Sequence, residues 1–163
     1  MLELFKNIRH FIFDIDGVLT DGSLIIHPDG TLLRTMNIKD GYALQLAVKK
    51  GYSVSIISGA KGQAIQQRLT GLGVSEIYLG IEKKINVLNQ LVENKKLSLD
   101  QTLYMGDDMP DLVVMKEVYL ACCPSDAITE IQEIANYISP YAGGKGCVRD
   151  VIEKVLKLNQ DWE

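Results

Sequence analysis

Histidine, cysteine and proline are scarce in this 163-residue chain, and each shortage removes a class of chemistry. The 2 histidines, His10 in an apolar run and His27 beside a turn, leave little material for a Ser-His-Asp triad or a histidine-rich metal site. The 3 cysteines, Cys122, Cys123 and Cys147, cannot all pair within the chain and form no CxxC or Cys/His pattern. Adjacent Cys122 and Cys123 read as small apolar fillers at a strand end, reduced and without a function of their own. With 4 prolines and no low-complexity stretch, the composition is that of a folded chain. No apolar run approaches the roughly 20 residues of a membrane span, and the opening MLELFKNIRH lacks the apolar core of a signal peptide. The expected location is the cytoplasm. A formal charge of −4 offers no broad basic surface, so no nucleic-acid partner is expected.

What is abundant is apolar sequence in short, evenly spaced runs. Hydrophobic residues make up 47% of the chain, and a length of this order suits one domain with a single core, 1–163. Strand-like runs at HFIFDI, SVSIIS, EIYLG, TLYMG and VYLAC alternate with helical patterns near 41–50, 62–72, 83–95, 127–135 and 148–158. A further helix is expected near Pro110, and Asp40 is expected to cap the first of the series. Between the first two runs, SLIIH and TLLRTM flank the turn PDG and predict a β-hairpin within 22–36. Alternation of this kind predicts an α/β fold: a Rossmann-like, doubly wound parallel sheet with an inserted hairpin and a glycine-rich loop over 140–150.

In such a sheet, ligands bind beyond the carboxyl ends of the strands. Asp14 and Asp16 in FDIDGVLTDG follow the first run, and Asp107, Asp108 and Asp111 in MGDDMPD follow TLYMG. Carboxylates gathered without compensation repel one another, and a hard cation with oxygen ligands removes the penalty; magnesium is the natural candidate. Ser58 ends SVSIIS, and Lys84 opens the helix after EIYLG. A hydroxyl and an ammonium both bind phosphate oxygens, so the ensemble suits phosphoryl transfer. An isolated Asp after a strand is commonly a turn former; the ordered series Asp-x-Asp, Ser, Lys, Gly-Asp-Asp is specific.

That series resembles the four motifs of the haloacid dehalogenase superfamily: Asp14-Ile-Asp16-Gly17, Ser58, Lys84 and Gly106-Asp107-Asp108. The resemblance implies that Asp14 is the nucleophile and Asp16 the general acid/base. It implies magnesium held by Asp14, the main-chain carbonyl of Asp16 and Asp107, with Asp108 and Asp111 in support. More closely, DIDGVLTDG, NIKDGYAL, the short hairpin in place of a cap domain and the tail GGKGCVRD resemble a capless branch of phosphatases. Its members act on keto-deoxy sugar acid phosphates, and 3-deoxy-D-manno-octulosonate 8-phosphate is the expected substrate. The branch implies a homotetramer joined through the hairpins, a neighbouring subunit helping to line each site. It places substrate contacts at Asn37, Ile38, Lys39, Asp40, Gly41 and Arg68, alongside Asp16 and Lys84. Arg149 in the tail is a further candidate for binding an anion. One position departs from the pattern. Where octulosonate-specific members carry arginine and nine-carbon-specific members glutamate, this chain has Ala60. A phosphatase for a nine-carbon acid or another sugar phosphate therefore stays open, as does a non-catalytic regulator of a sugar nucleotidyltransferase.

Overall fold

The computed structural model describes residues 2–163. The apolar runs become a six-stranded sheet: β1 (His10–Phe13), β4 (Ser53–Ile57), β5 (Glu76–Tyr78), β6 (Thr102–Met105), β7 (Leu120–Cys123) and β8 (Tyr137–Ile138). All neighbours pair in parallel, in the order β5-β4-β1-β6-β7-β8. The antiparallel hairpin β2 (Ile25–Ile26) and β3 (Leu32–Leu33) stands apart as a separate ribbon. The chain thus winds outward from β1 to β5, returns, and winds the other way from β6 to β8. Its reversal point lies between β1 and β6, where an open α/β sheet forms its ligand crevice.

Both faces of the sheet are covered, which is why its strands are nearly continuous apolar runs. Phe11, Phe13, Val54, Ile56, Leu103 and Met105 point to one face, beneath α1 (Glu3–Lys6), α2 (Ile38–Lys49), α3 (Gln63–Gly71) and α7 (Cys147–Leu158). Ile12, Ile57, Tyr104 and Ala121 point to the other, beneath α4 (Lys84–Glu93), α5 (Leu112–Met115) and α6 (Thr129–Ile134). All three cysteines are free and buried in these layers. Among the described residues, no helix is long and apolar enough to cross a membrane.

Local details differ from the sequence expectation in three places. The cap of α2 is Asn37, whose side chain accepts from Lys39 N at 2.8 Å, and Asp40 lies inside the helix. Asp40 instead caps a different helix: its Oδ1 accepts from Arg149 N in the first turn of α7 at 2.8 Å. Second, Pro110 sits in a tight turn, Met109–Asp111, capped by Asp108, and α5 follows it. Third, the two-residue β8 and the four-residue α1 had no sequence signal, because both are too short for periodicity to register.

The glycine-rich loop is pinned rather than free. Gly144 N donates to Val18 O at 2.9 Å, and Gly143 N donates to Asp126 Oδ1 at 2.9 Å. A Cβ on Gly143 would lie 2.0 Å from Gly17 O, a backbone atom of the loop after β1. Gly143→Ala is therefore expected to push the two loops apart and destabilise the fold by about 1–3 kcal/mol, the usual penalty of overpacking. Urea unfolding checks this; a midpoint equal to wild type would show that the loops separate freely.

Candidate active site

Asp14 comes immediately after β1, and its side chain turns back to accept from Ile15 N at 2.7 Å. The chain then bends through Ile15–Leu19, where Gly17 takes φ 83°. A Cβ on Gly17 would lie 1.8 Å from Asp107 Oδ2, so only glycine lets the loop after β1 reach the loop after β6. This contact brings the first and last motifs together.

Lys84, the first residue of α4, supplies the link. Its Nζ lies 3.0 Å from Asp14 Oδ2 and 2.7 Å from Asp111 Oδ1. All three groups are buried: Asp14 is 7% exposed, Lys84 4% and Asp111 0%. Asp111 has both oxygens occupied. Oδ1 accepts from Lys84 Nζ and from Tyr104 OH at 2.6 Å, while Oδ2 accepts from the N–H groups of Asp107 at 3.0 Å and Asp108 at 3.3 Å. Asp111 is a brace, setting the position of the lysine and of the loop that carries Asp107.

Oxygens of Asp14, Asp107 and Asp111 lie within 4.8 Å of one another. Burial and the neighbouring Asp111 push the Asp14 carboxyl up to about 6, although Lys84 and the Ile15 N–H pull it back. Burial, then Asp111, Asp14 and Asp108, push Asp107 up to about 8. Burial lowers Lys84, but the charges of Asp111 and Asp14 more than offset it, and the net shift is upward. With Asp111 saturated, Asp14 and Asp107 are the two carboxylates left short of positive charge. Such a pair fits a hard divalent cation that takes one or two carboxylates and keeps several waters.

The other anticipated residues are spread around this cluster. Asp16 is more exposed than Asp14, and both of its oxygens are gripped by Arg34, from Nε at 2.6 Å and Nη2 at 2.9 Å. Ser58 follows β4; its hydroxyl accepts from Ala60 N at 3.1 Å and is buried beneath that turn. Asn37, Lys39 and Arg149 line a separate cavity of about 530 Å³ along α7. There the Arg149 guanidinium bonds Glu153 at 3.1 Å and lies 5.0 Å from the Trp162 ring. Ile38 and Arg68 line another cavity, of about 350 Å³, beside the hairpin. Asp40 is 1% exposed and faces α7, and Gly41 packs against Arg68, whose Nη2 would be 2.7 Å from a Cβ there. Two residues of the site belong to no sequence motif: Tyr104, inside an apolar strand, and Arg34, one charge at the end of an apolar hairpin. The only sequence signal was a polar group within an otherwise apolar run.

The raised carboxylates give a pH dependence of definite sign. Asp107 titrates near 3.8 when unfolded and near 8 when folded, so the metal-free fold loses stability as pH rises from about 4 to about 8. Asp107→Asn removes that loss. The variant should melt at a higher temperature than wild type at pH 8.5 without metal, with the difference shrinking toward pH 5. Magnesium should raise the melting temperature of wild type and leave that of the variant nearly unchanged. Calorimetric melts with chelator and with magnesium at both pH values measure this.

Comparison with known proteins fits the same geometry. Residues 76–152 match the haloacid dehalogenase-like hydrolase family. The 3-deoxy-D-manno-octulosonate 8-phosphate phosphatase of Escherichia coli K12 is 34% identical over 93% of this chain and 80% of its own length. The crystal structure of the Yersinia pestis enzyme of the same name superposes with a TM-score of 0.94 at 30% identity, covering 98% of this chain and 86% of that one. The Moraxella catarrhalis enzyme, crystallised with magnesium, phosphate and KDO, gives 0.91 at 31% identity, over 96% and 90% of the two chains. With acidic loops meeting at the sheet's reversal point and relatives matched over nearly its full length, the chain belongs to the haloacid dehalogenase-like hydrolases, in the branch that contains these phosphatases.

Proposed function

We propose that this chain hydrolyses the phosphomonoester of 3-deoxy-D-manno-octulosonate 8-phosphate in the cytoplasm, with magnesium as cofactor. The observation that carries the reading is the buried Lys84 clasp on Asp14 beside Asp107, in a chain whose relatives bear that activity in their names. Asp14 and Asp107 would hold the metal together with the main-chain carbonyl of Asp16, and Asp108 and Asp111 support that loop. When bound, the ion supplies positive charge to the phosphoryl oxygens and lets both carboxylates stay ionised side by side.

Asp14, with its carboxyl near 6, is ionised at neutral pH and attacks phosphorus. The P–O bond to the sugar breaks as the acyl phosphate forms, and Asp16, protonated once its pair with Arg34 opens, gives that proton to the departing alkoxide. Water then attacks the acyl phosphate, Asp16 takes up its proton, and Asp14 and inorganic phosphate are regenerated. Lys84 offsets the charge that gathers on the phosphoryl oxygens, and Ser58 borders them from the end of β4. Asn37, Ile38, Lys39, Arg68 and Arg149 are assigned to the sugar acid, in the subunit's own site or its neighbour's, while buried Asp40 and Gly41 hold α7 and Arg68 in place.

Residues 1–163 act in this reading as one catalytic domain without a cap, closed by neighbouring subunits. The exposed ribbon supports the assembly: Ile25 and Ile26 are 61% and 75% exposed, and Leu32 and Leu33 are nearly half exposed. A lone two-stranded ribbon is barely stable in water, and a contiguous apolar patch of this kind marks an interaction surface. Changing Ile26 to Lys should convert a tetramer to smaller species in size exclusion with light scattering; an unchanged mass would reject the hairpin contact.

The activity itself is tested by phosphate release from a panel of sugar phosphates, with magnesium and with chelator. Selective, magnesium-dependent turnover of the octulosonate ester is the expected result. Asp14→Asn should lower it by about three orders of magnitude or more while leaving the melt folded. Ala60 favours a second reading, since the position that discriminates relatives carries no charge here: preference for a nine-carbon acid phosphate would replace the named substrate and keep the chemistry. No turnover of any ester would favour the non-catalytic regulator.

A further inference from the structure

Arg34 has no part in the phosphoryl transfer, although it touches the acid that serves it. It follows β3 on an exposed ribbon, yet its side chain is 7% exposed, because it turns inward onto Asp16. Nε and Nη2 are both given to the Asp16 carboxylate. The remaining nitrogen, Nη1, is buried and has no hydrogen-bond partner among the described residues. A guanidinium nitrogen kept from water and unpaired is unfavourable, so a fork with two arms satisfied and the third bare is arranged for an acceptor that arrives from outside.

The surroundings say what that acceptor is. Arg34 and Asp16 line a cavity of about 660 Å³ between the hairpin and the start of α3, bounded on the far side by Ala60 and Lys61. Ala60 is nearly buried and contributes only a methyl group, so this wall supplies no charge at that position. Lys61 lies across Gly80 with its stem and is the other cation lining the space. Asp16 stands two residues after the attacking Asp14, so one wall of the cavity belongs to the loop that carries the nucleophile. A cationic fork on that wall suits a second negative group on the same substrate.

We propose that Arg34 is a specificity-determining residue: its Nη1 donates to the carboxylate of the sugar acid, supplying from the hairpin a positive charge that position 60 lacks. Lys61 adds a second, more loosely held charge to the same carboxylate. The inference rests on the proposed substrate being a sugar acid phosphate. Arginine suits the role because its planar fork matches a carboxylate through two parallel N–H donors, which a lysine ammonium cannot do with fixed geometry.

The test compares kcat/KM for 3-deoxy-D-manno-octulosonate 8-phosphate with that for a pentose 5-phosphate, which has a phosphoryl group and no carboxylate. Wild type, Arg34→Gln, Arg34→Lys and Lys61→Gln are measured with magnesium, and each fold is checked by circular dichroism. Losing a charge-assisted hydrogen bond to a buried donor reduces discrimination about tenfold or more, so Arg34→Gln should raise KM for the acid and shrink the acid-to-neutral ratio by that factor. Arg34→Lys should recover part of the ratio, and Lys61→Gln should move it less. If Arg34 only orients Asp16, kcat falls on both esters and the ratio stays at its wild-type value, which overturns the proposal. Wild type that fails to turn over the acid ester overturns the substrate reading itself, and this proposal with it.

Discussion

One buried ammonium holds the site together. Lys84 stands between Asp14 and Asp111, and without it two carboxylates would face each other in a space from which water is nearly excluded. Removing one partner of such a group typically costs about 3–5 kcal/mol, because the charge left behind has no compensation. The arrangement remains incomplete all the same. Asp111 takes four donors, Asp14 shares the lysine, and Asp107 is left with neighbours mostly of its own sign. The protein has thus stored electrostatic tension at the place where a cation and a phosphate would relieve it.

That tension is sustained by the sheet. β1 and β6 are neighbours at the point where the winding reverses, so the loops after them diverge to opposite faces and leave a crevice between. Gly17 closes the distance on one side, and Gly143, packed under the same loop, supports it from below. Tyr104 reaches from the middle of β6 to Asp111, so the core of the sheet and the acid cluster share a hydrogen bond. Stability and function therefore meet in the same few residues, which makes the site rigid before any ligand enters.

The hairpin serves two surfaces at once. Its isoleucines and leucines are exposed, whereas Arg34 turns inward to Asp16. A ribbon whose outer face is covered by other subunits would place its inner face more firmly, so assembly and the placement of Arg34 are mechanically linked.

The α/β alternation, the strand-end acids and the hairpin were legible in the sequence because each is a local pattern: apolar runs of strand length, aspartates directly after them, and Pro-Asp-Gly between two apolar segments. Asp14, Asp107, Asp111 and Lys84 were each identified as candidates, and their positions after strands predicted that they would converge. What no local pattern contained was the partner of each charge. That Lys84 reaches Asp111, that Asp40 caps α7 rather than its own helix, and that Arg34 grips Asp16 all depend on contacts between residues 18 to 109 positions apart. Sequence spacing fixes which groups stand at a strand's end; only the packed chain decides which donor meets which acceptor, because burial, not spacing, sets the penalty for leaving one unpaired.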